Sequence, residues 1–206
     1  MDRDRTRCLF ALWLLFAVNT MNFFDRQILA AITEPIRKEW GLSDTQLGVL
    51  GTAFTLLYAM IGVPLGRLAD VWKRKWLLAI GVAFWSALTY TSGLCRGFWT
   101  LFAARLGVGV GETACAPTSS SLIGDLYGPH ERGRALSVFM LGLPVGLALS
   151  YIVSGTIAQH YGWRAAFFIA GVPGLVLAAL SMLLHEPSRG SIEARGIGAA
   201  RRGGSP

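Results

Sequence analysis

Four charged side chains stand inside stretches that are otherwise apolar. Asp25 and Arg26 are neighbours in MNFFDRQILAAI (21–32), and Arg105 and Glu112 lie seven residues apart in RLGVGVGETACAP (105–117). Two carboxylates and two guanidiniums can form buried ion pairs, exchange a proton at a carboxyl group, and hold an anionic group through charge-assisted hydrogen bonds. Asn19, Asn22 and Arg26 fall on one helical face, with Asp25 at its edge. Arg105, Gly109, Glu112, Ala116 and Ser119 form a second stripe of the same kind.

The elements that must position these residues are membrane helices. Of the 206 residues, 53% are hydrophobic and only 15% charged, against roughly 25% charged in a soluble domain. The net charge is +7, but the arginines fall in short gaps between apolar runs and are not interleaved with aromatics on one face, so no nucleic-acid partner is expected. Cys8, Cys95 and Cys115 lack any CxxC or Cys/His spacing and read as packing residues, with no metal or cofactor implied. There is no Ser-His-Asp set, HExxH or GxGxxG after a strand. His130, His160 and His185 fall in loops or at span ends, so an enzyme is not expected.

About 20 largely apolar residues cross a hydrocarbon core of about 30 Å. Six stretches qualify: 9–32, 48–69, 76–95, 98–121, 135–158 and 164–184. The first is too long for a signal-peptide core and lacks a cleavage site, so it reads as a retained span. Ser43-Asp44-Thr45-Gln46 has the form of a capping box that starts the second helix. Basic residues precede the first span (Arg3, Arg5, Arg7) and follow the second, fourth and sixth. The positive-inside rule then places both termini in the cytoplasm. The expected organisation is a cytoplasmic N-terminus (1–8), a six-span unit (9–186) and a disordered Gly/Arg-rich tail (187–206). The expected location is a bacterial inner (plasma) membrane.

A charge at the bilayer centre costs about 2.5 to 3.5 kcal/mol even on lenient scales, so charged faces should turn inward, toward partners or water. Small or polar stripes on span two (Thr52, Thr55, Ala59, Gly62, Gly66) and span five (Ser137, Pro144, Ala148, Tyr151, Gly155) are expected to do the same. At about 1.5 Å rise per residue, Asp25, Arg26 and Arg105 should meet in the outer half of the membrane. Glu112 falls about two turns lower, nearer Asn19 and Asn22. The four charges are either an ion-pair set that locks helices or a pathway for substrate and protons. Buried ion pairs are weak stabilisers, which favours the second reading. The two asparagines alone favour interhelical hydrogen bonding.

The link between spans two and three, Gly66-Arg67-Leu68-Ala69-Asp70-Val71-Trp72-Lys73-Arg74-Lys75, resembles the signature loop G-x-L-x-D-R-x-G-R-R/K of the major facilitator superfamily. Val71 and Lys73 depart from it, which removes the usual Arg and Gly. The resemblance implies that Gly66 allows close helix approach, that Asp70 pairs with a basic group or caps a helix in one conformation, and that Arg74 and Lys75 hold a cytoplasmic gate. FFDRQIL, LSDTQLGVLGTAF, RLGVGVGETACAP and SVFMLGLPVGLALSYIVSG occur in order and resemble the spinster branch. That likeness implies roles in headgroup binding and proton coupling for Asp25, Arg26, Arg105 and Glu112, with Asn19 and Asn22 beside them.

The implied fold is an all-α membrane protein with six transmembrane helices as two inverted three-helix repeats, one half of a major facilitator fold. The glycine pairs Gly62/Gly66, Gly107/Gly111 and Gly142/Gly146 are assigned to packing, with Pro144 bending span five. The expected function is secondary active transport, as symport or antiport and coupled to protons, of an anionic or amphipathic small molecule: a lysolipid or sphingoid-like cargo, or an organic anion. Asp25 or Glu112 would change protonation as Arg26 or Arg105 moves. The expected partners are the substrate, protons, membrane lipids, and a second six-helix half or another copy, because six spans are half of the family's usual twelve. The chain is then a fragment, a half-transporter that pairs, or a six-helix protein without transport. A non-transporting ligand-binding or regulatory subunit is the alternative.

Overall fold

The computed structural model describes residues 2–190, and all of the regular structure in them is helical. Six rods follow one another in chain order. The first three are single helices: α1 (Asp2–Trp40), α2 (Asp44–Val71) and α3 (Arg74–Ser92). The fourth is α4 (Phe98–Thr113) and α5 (Cys115–Leu126). The fifth is α6 (Pro129–Met140) and α7 (Gly142–Leu149), then a wide π-helical turn, Ser150–Ser154, and α8 (Gly155–Tyr161). The sixth is α9 (Trp163–Ser181). Three rods and three rods fit the expected two-repeat plan.

Among the described residues, four stretches are long and apolar enough to cross a membrane on their own: Arg5–Trp40, Asp44–Val71, Pro129–Tyr161 and Trp163–Ser181. The expected third and fourth spans do not meet that measure. α3 packs between α4 and α9, and the buried Ser86, Thr89 and Ser92 on it lower its hydropathy. The fourth rod is divided at Ala114, because Pro117 has no N–H for the Thr113 carbonyl and its ring crowds that turn. The first helix is longer than expected at both ends. It takes in residues 2–8 and continues through Pro35 to Trp40.

Two local expectations hold. Gln46 N–H donates to Ser43 Oγ (3.3 Å) and Ser43 N–H to Gln46 Oε1 (2.9 Å), closing the capping box. Pro144 breaks the fifth rod: α6 ends at Met140, the residue whose carbonyl the proline cannot serve. Beyond that break α7 lies directly on α1. A Cβ on Gly142 would come within 2.9 Å of the Thr20 backbone nitrogen, and one on Gly146 would collide with the Thr20 carbonyl oxygen. Overpacking costs about 1–3 kcal/mol where neighbours can shift, and here the obstacle is backbone. Gly146→Ala is therefore expected to lower the thermal unfolding midpoint in detergent by several degrees, with Gly66→Ala as an unaffected control. An unchanged midpoint for Gly146→Ala would contradict this packing.

That control carries a correction. A Cβ on Gly62 would meet only the Thr113 methyl at 3.7 Å and one on Gly66 nothing within 4 Å, so Gly66 gives no close helix approach among the described residues. The stripe above them does not turn inward either, since Thr52, Thr55 and Ala59 are exposed. The same holds for Ser137, Pro144, Ala148 and Tyr151 on the fifth rod. Both stripes face outward from the six-rod unit. α2 packs on the bundle mainly through α4, with Phe54 against Gly109.

At the end opposite residues 2 and 190, the two ends of the described chain, Glu39 of α1 clasps the start of α9. It accepts from Trp163 Nε1 at 2.7 Å and Arg164 Nη1 at 2.9 Å, while Trp40 meets Trp163 edge to face. At the terminal end, Pro187, Arg189 and Gly190 of the expected tail are held by hydrogen bonds; the rest of it, 191–206, lies outside the described residues.

Candidate functional site

The four intramembrane charges converge, in a different pairing from the one helix rise suggests. Arg26 Nε donates to Glu112 Oε2 at 2.9 Å, linking α1 to α4. Helix rise puts Glu112 about two turns from the level of Arg105. Arg26 is long and flexible enough to run along the helix and reach it. Arg105 is 3% exposed and makes no ion pair with Asp25; its Nη2 donates to the Asp25 backbone carbonyl at 2.8 Å. The Asp25 carboxylate instead accepts from Thr89 Oγ1 of α3 at 3.3 Å, on Oδ2.

The asparagines divide. Asn19 Nδ2 donates to the Phe139 carbonyl of α6 at 2.8 Å, an interhelical tie. Asn22 Nδ2 is buried without a partner among the described residues. So are Asp25 Oδ1, Arg105 Nη1 and Glu112 Oε1. An unsatisfied buried polar group costs about 1–3 kcal/mol. Four such atoms on the facing helices α1 and α4 fit a site that trades partners better than a finished structural lock.

Helix α2 supplies two residues that the charge pattern did not single out. Phe54 and Tyr58 stack on each other with centroids 6.3 Å apart. The Arg26 guanidinium lies 4.1 Å from the Tyr58 ring centroid and 6.0 Å from that of Phe54; Arg105 lies 5.8 Å from Phe54. Phe54 thus touches both guanidiniums, and it can do so because Gly109 leaves room: a Cβ there would sit 3.2 Å from the ring. The aromatic i, i+4 spacing was a visible signal, but on an apolar helix it does not distinguish a cation platform from a lipid-facing pair. On this side a pocket of about 220 Å³ opens between α1, α2 and α4. Arg26, Gln27, Phe54, Thr55 and Arg105 line it, and no acid does. Tyr151 Oη donates to Gln27 Oε1 at 3.4 Å beside it, and Ser150 Oγ to the Phe24 carbonyl at 2.8 Å, so the π-helical turn is tied to the same stretch of α1.

The loop between α2 and α3 builds a second charged cluster at the terminal end. Arg74 is fully buried. Its Nη1 donates to the Asp125 carboxylate and to Ser121 Oγ (3.0 Å), its Nη2 to the Pro187 carbonyl (2.7 Å), and its backbone N–H to Glu186 Oε1 (2.7 Å). Asp70, expected to pair or to cap a helix, is exposed and makes no ion pair among the described residues. The reason is helical phase: Ala69 takes the buried position and turns Asp70 outward. Arg189 Nη2 then serves the end of α2 by donating to the carbonyls of Ala69 (2.8 Å) and Trp72 (2.7 Å). Lys75 lies beside the Trp76 ring, outside this network.

Residues 15–203 match the family model described as Major Facilitator Superfamily. The chain belongs to the major facilitator superfamily. Its relatives are membrane transporters and not enzymes. This facilitator chain is 34% identical over 186 residues to protein spinster homolog 1 of Homo sapiens, an alignment covering 87% of this chain and 35% of that one. It is also 34% identical over 176 residues to a probable L-galactonate transporter of Escherichia coli K12, covering 85% of this chain and 39% of the relative. Among solved structures it is similar to a bacterial homologue of the human lysosomal transporter spinster in an inward-facing, unoccupied conformation. There the TM-score is 0.79 at 32% identity, over 89% of this chain and 44% of that one. The chain thus spans about a third of the length of the curated relatives it matches.

Proposed function

We propose that this chain forms one wall of a secondary transporter in which Arg26 exchanges its partner, Glu112, for the anionic group of a substrate, with Arg105 as the second guanidinium. The observation that carries the reading is the pocket beside the pair: two guanidiniums line it, no acid does, and Glu112 lies fully buried behind Arg26. A guanidinium released from its carboxylate can hold a carboxylate or phosphate by charge-assisted hydrogen bonds. The freed carboxyl group then takes a proton, and that exchange couples transport to protons. Asp25, with one oxygen unpartnered, is the second candidate for the proton, and Asn22 for a polar substrate contact.

The substrate class in this reading is an anionic or amphipathic small molecule. Likeness to spinster homologues favours a lysolipid or sphingoid-like cargo, and the L-galactonate transporter relative favours a small organic anion. The gate at the terminal end is the Arg74 cluster with Gly66, Asp70 and Lys75 around it. Both termini are assigned to the cytoplasm, and the membrane to a bacterial inner (plasma) membrane. The outward-facing small and polar stripes of α2 and of α6–α8 favour completion of the pathway by a second six-helix half or another copy.

The test is equilibrium binding of a lysophospholipid and of L-galactonate to the chain in nanodiscs, alongside uptake into proteoliposomes under an imposed pH gradient. Binding of either that is lost in Arg26→Gln, together with gradient-driven uptake, is the expected result. Binding without flux would favour a ligand-capturing subunit, and no binding of either ligand would overturn the proposal.

A further inference from the structure

At the terminal end of the bundle, two adjoining grooves share Lys75 and His185. One, of about 560 Å³, runs between the α2–α3 link and residues 185–189; the other, of about 300 Å³, runs between α1 and the segment after α9. Lys73 is exposed and makes no ion pair among the described residues. Lys75 also lacks an acidic partner, although Glu186 lines the same groove. The reason is that Glu186 is spent on Arg74, whose backbone N–H and Nε it faces at 2.7 and 3.7 Å. The two lysines therefore present uncompensated charge.

Exposed apolar residues flank that charge in both grooves, among polar ones. Val71 is 80% and Leu183 70% exposed, and Trp72, Phe10 and Met182 are also open on the two sides of Lys75. Tryptophans at a span end are typical of the headgroup level, and basic pockets between helices at that level attract anionic lipid heads. A soluble anion would need the charge but not the greasy flanks. A phospholipid uses both: its phosphate between the lysines and its chains along Val71, Phe10 and Leu183.

We propose that the groove bounded by Lys73, Lys75 and His185 is a binding site for an anionic phospholipid, with Trp72 at its rim. It is separate from the Arg26–Glu112 pair and shares Lys75 with the proposed gate; lipid preference and substrate binding are read out independently. Occupancy would place a phosphate against the α2–α3 link, next to the buried Arg74 cluster.

The test uses the whole chain in vesicles of phosphatidylcholine containing a minor share of phosphatidylglycerol, with brominated acyl chains on one lipid or the other. Tryptophan emission should be quenched more by brominated phosphatidylglycerol than by brominated phosphatidylcholine, and the excess should fall in Trp72→Phe. A lysine near an anionic surface contributes about a fivefold factor in affinity, the equivalent of about 1 kcal/mol. Lys73→Gln/Lys75→Gln should therefore lower the preference about twenty- to thirtyfold, and Lys73→Arg/Lys75→Arg should restore it; helix content by circular dichroism checks that the variants fold. Equal quenching by the two lipids, or a preference that survives the glutamine pair, would overturn the site. Displacement of the lipid by millimolar inorganic phosphate would do so as well, since the site would then recognise a free anion.

Discussion

Glu112→Gln is expected to reduce uptake driven by a pH gradient to the level of empty vesicles while expression and fold are retained. The amide oxygen can still accept from Arg26 Nε, so the contact between α1 and α4 at 2.9 Å survives in geometry. The substitution removes the negative charge that competes with substrate for Arg26, and the only proton the pair can exchange. Exchange that needs no gradient, measured as counterflow between loaded vesicles and labelled substrate, should persist, because the lining of the pocket is untouched. Asp25→Asn gives the comparison. If it alone abolishes the pH response, the proton belongs to the carboxylate held by Thr89; if gradient-driven uptake survives Glu112→Gln unchanged, the coupling role of Glu112 is wrong.

The second large effect is structural. Arg74→Ala should destabilise the protein by about 3–5 kcal/mol, the range for removing one member of a buried charge pair. The loss leaves Asp125 and Glu186 facing each other's surroundings without the guanidinium, and frees the Ser121 and Pro187 oxygens it served. Arg74→Lys should recover only part of this, because an ammonium cannot reach separate acceptors on α5 and on the 186–187 segment at once. Unfolding midpoints in detergent check both, and Lys75→Ala is the neighbouring control with little expected change. A similar loss for Lys75→Ala would mean that the loop as a whole, and not the buried fork, carries the stability.

These two residues show how much was readable in the chain. Charges inside apolar stretches stand out, so Asp25, Arg26, Arg105 and Glu112 are legible as a set of intramembrane charges, as are the capping box at Ser43 and the break at Pro144. Pairing was not readable. Helix rise placed Arg26 with Arg105 and Asp25, but rise locates a Cα, whereas a long arginine chooses its partner by reach and by what else is buried nearby. Asp70 was assigned a contact from its place in a motif, and one step of helical phase put Ala69 in the bundle instead.

Membrane class, six rods and the positions of the intramembrane charges follow from composition and periodicity, because a bilayer admits few backbones and penalises every exposed charge. Partners follow only from tertiary structure. Phe54 and Tyr58 became a cation platform when α2 met α4 across Gly109, and Glu186 and Arg189 became the caps of α3 and α2 when the segment after α9 folded back. The physical reason is range: burial cost and helix period act over a few neighbouring residues, whereas each of these contacts joins positions about thirty to well over a hundred residues apart in sequence, whose meeting is set by how the rods cross.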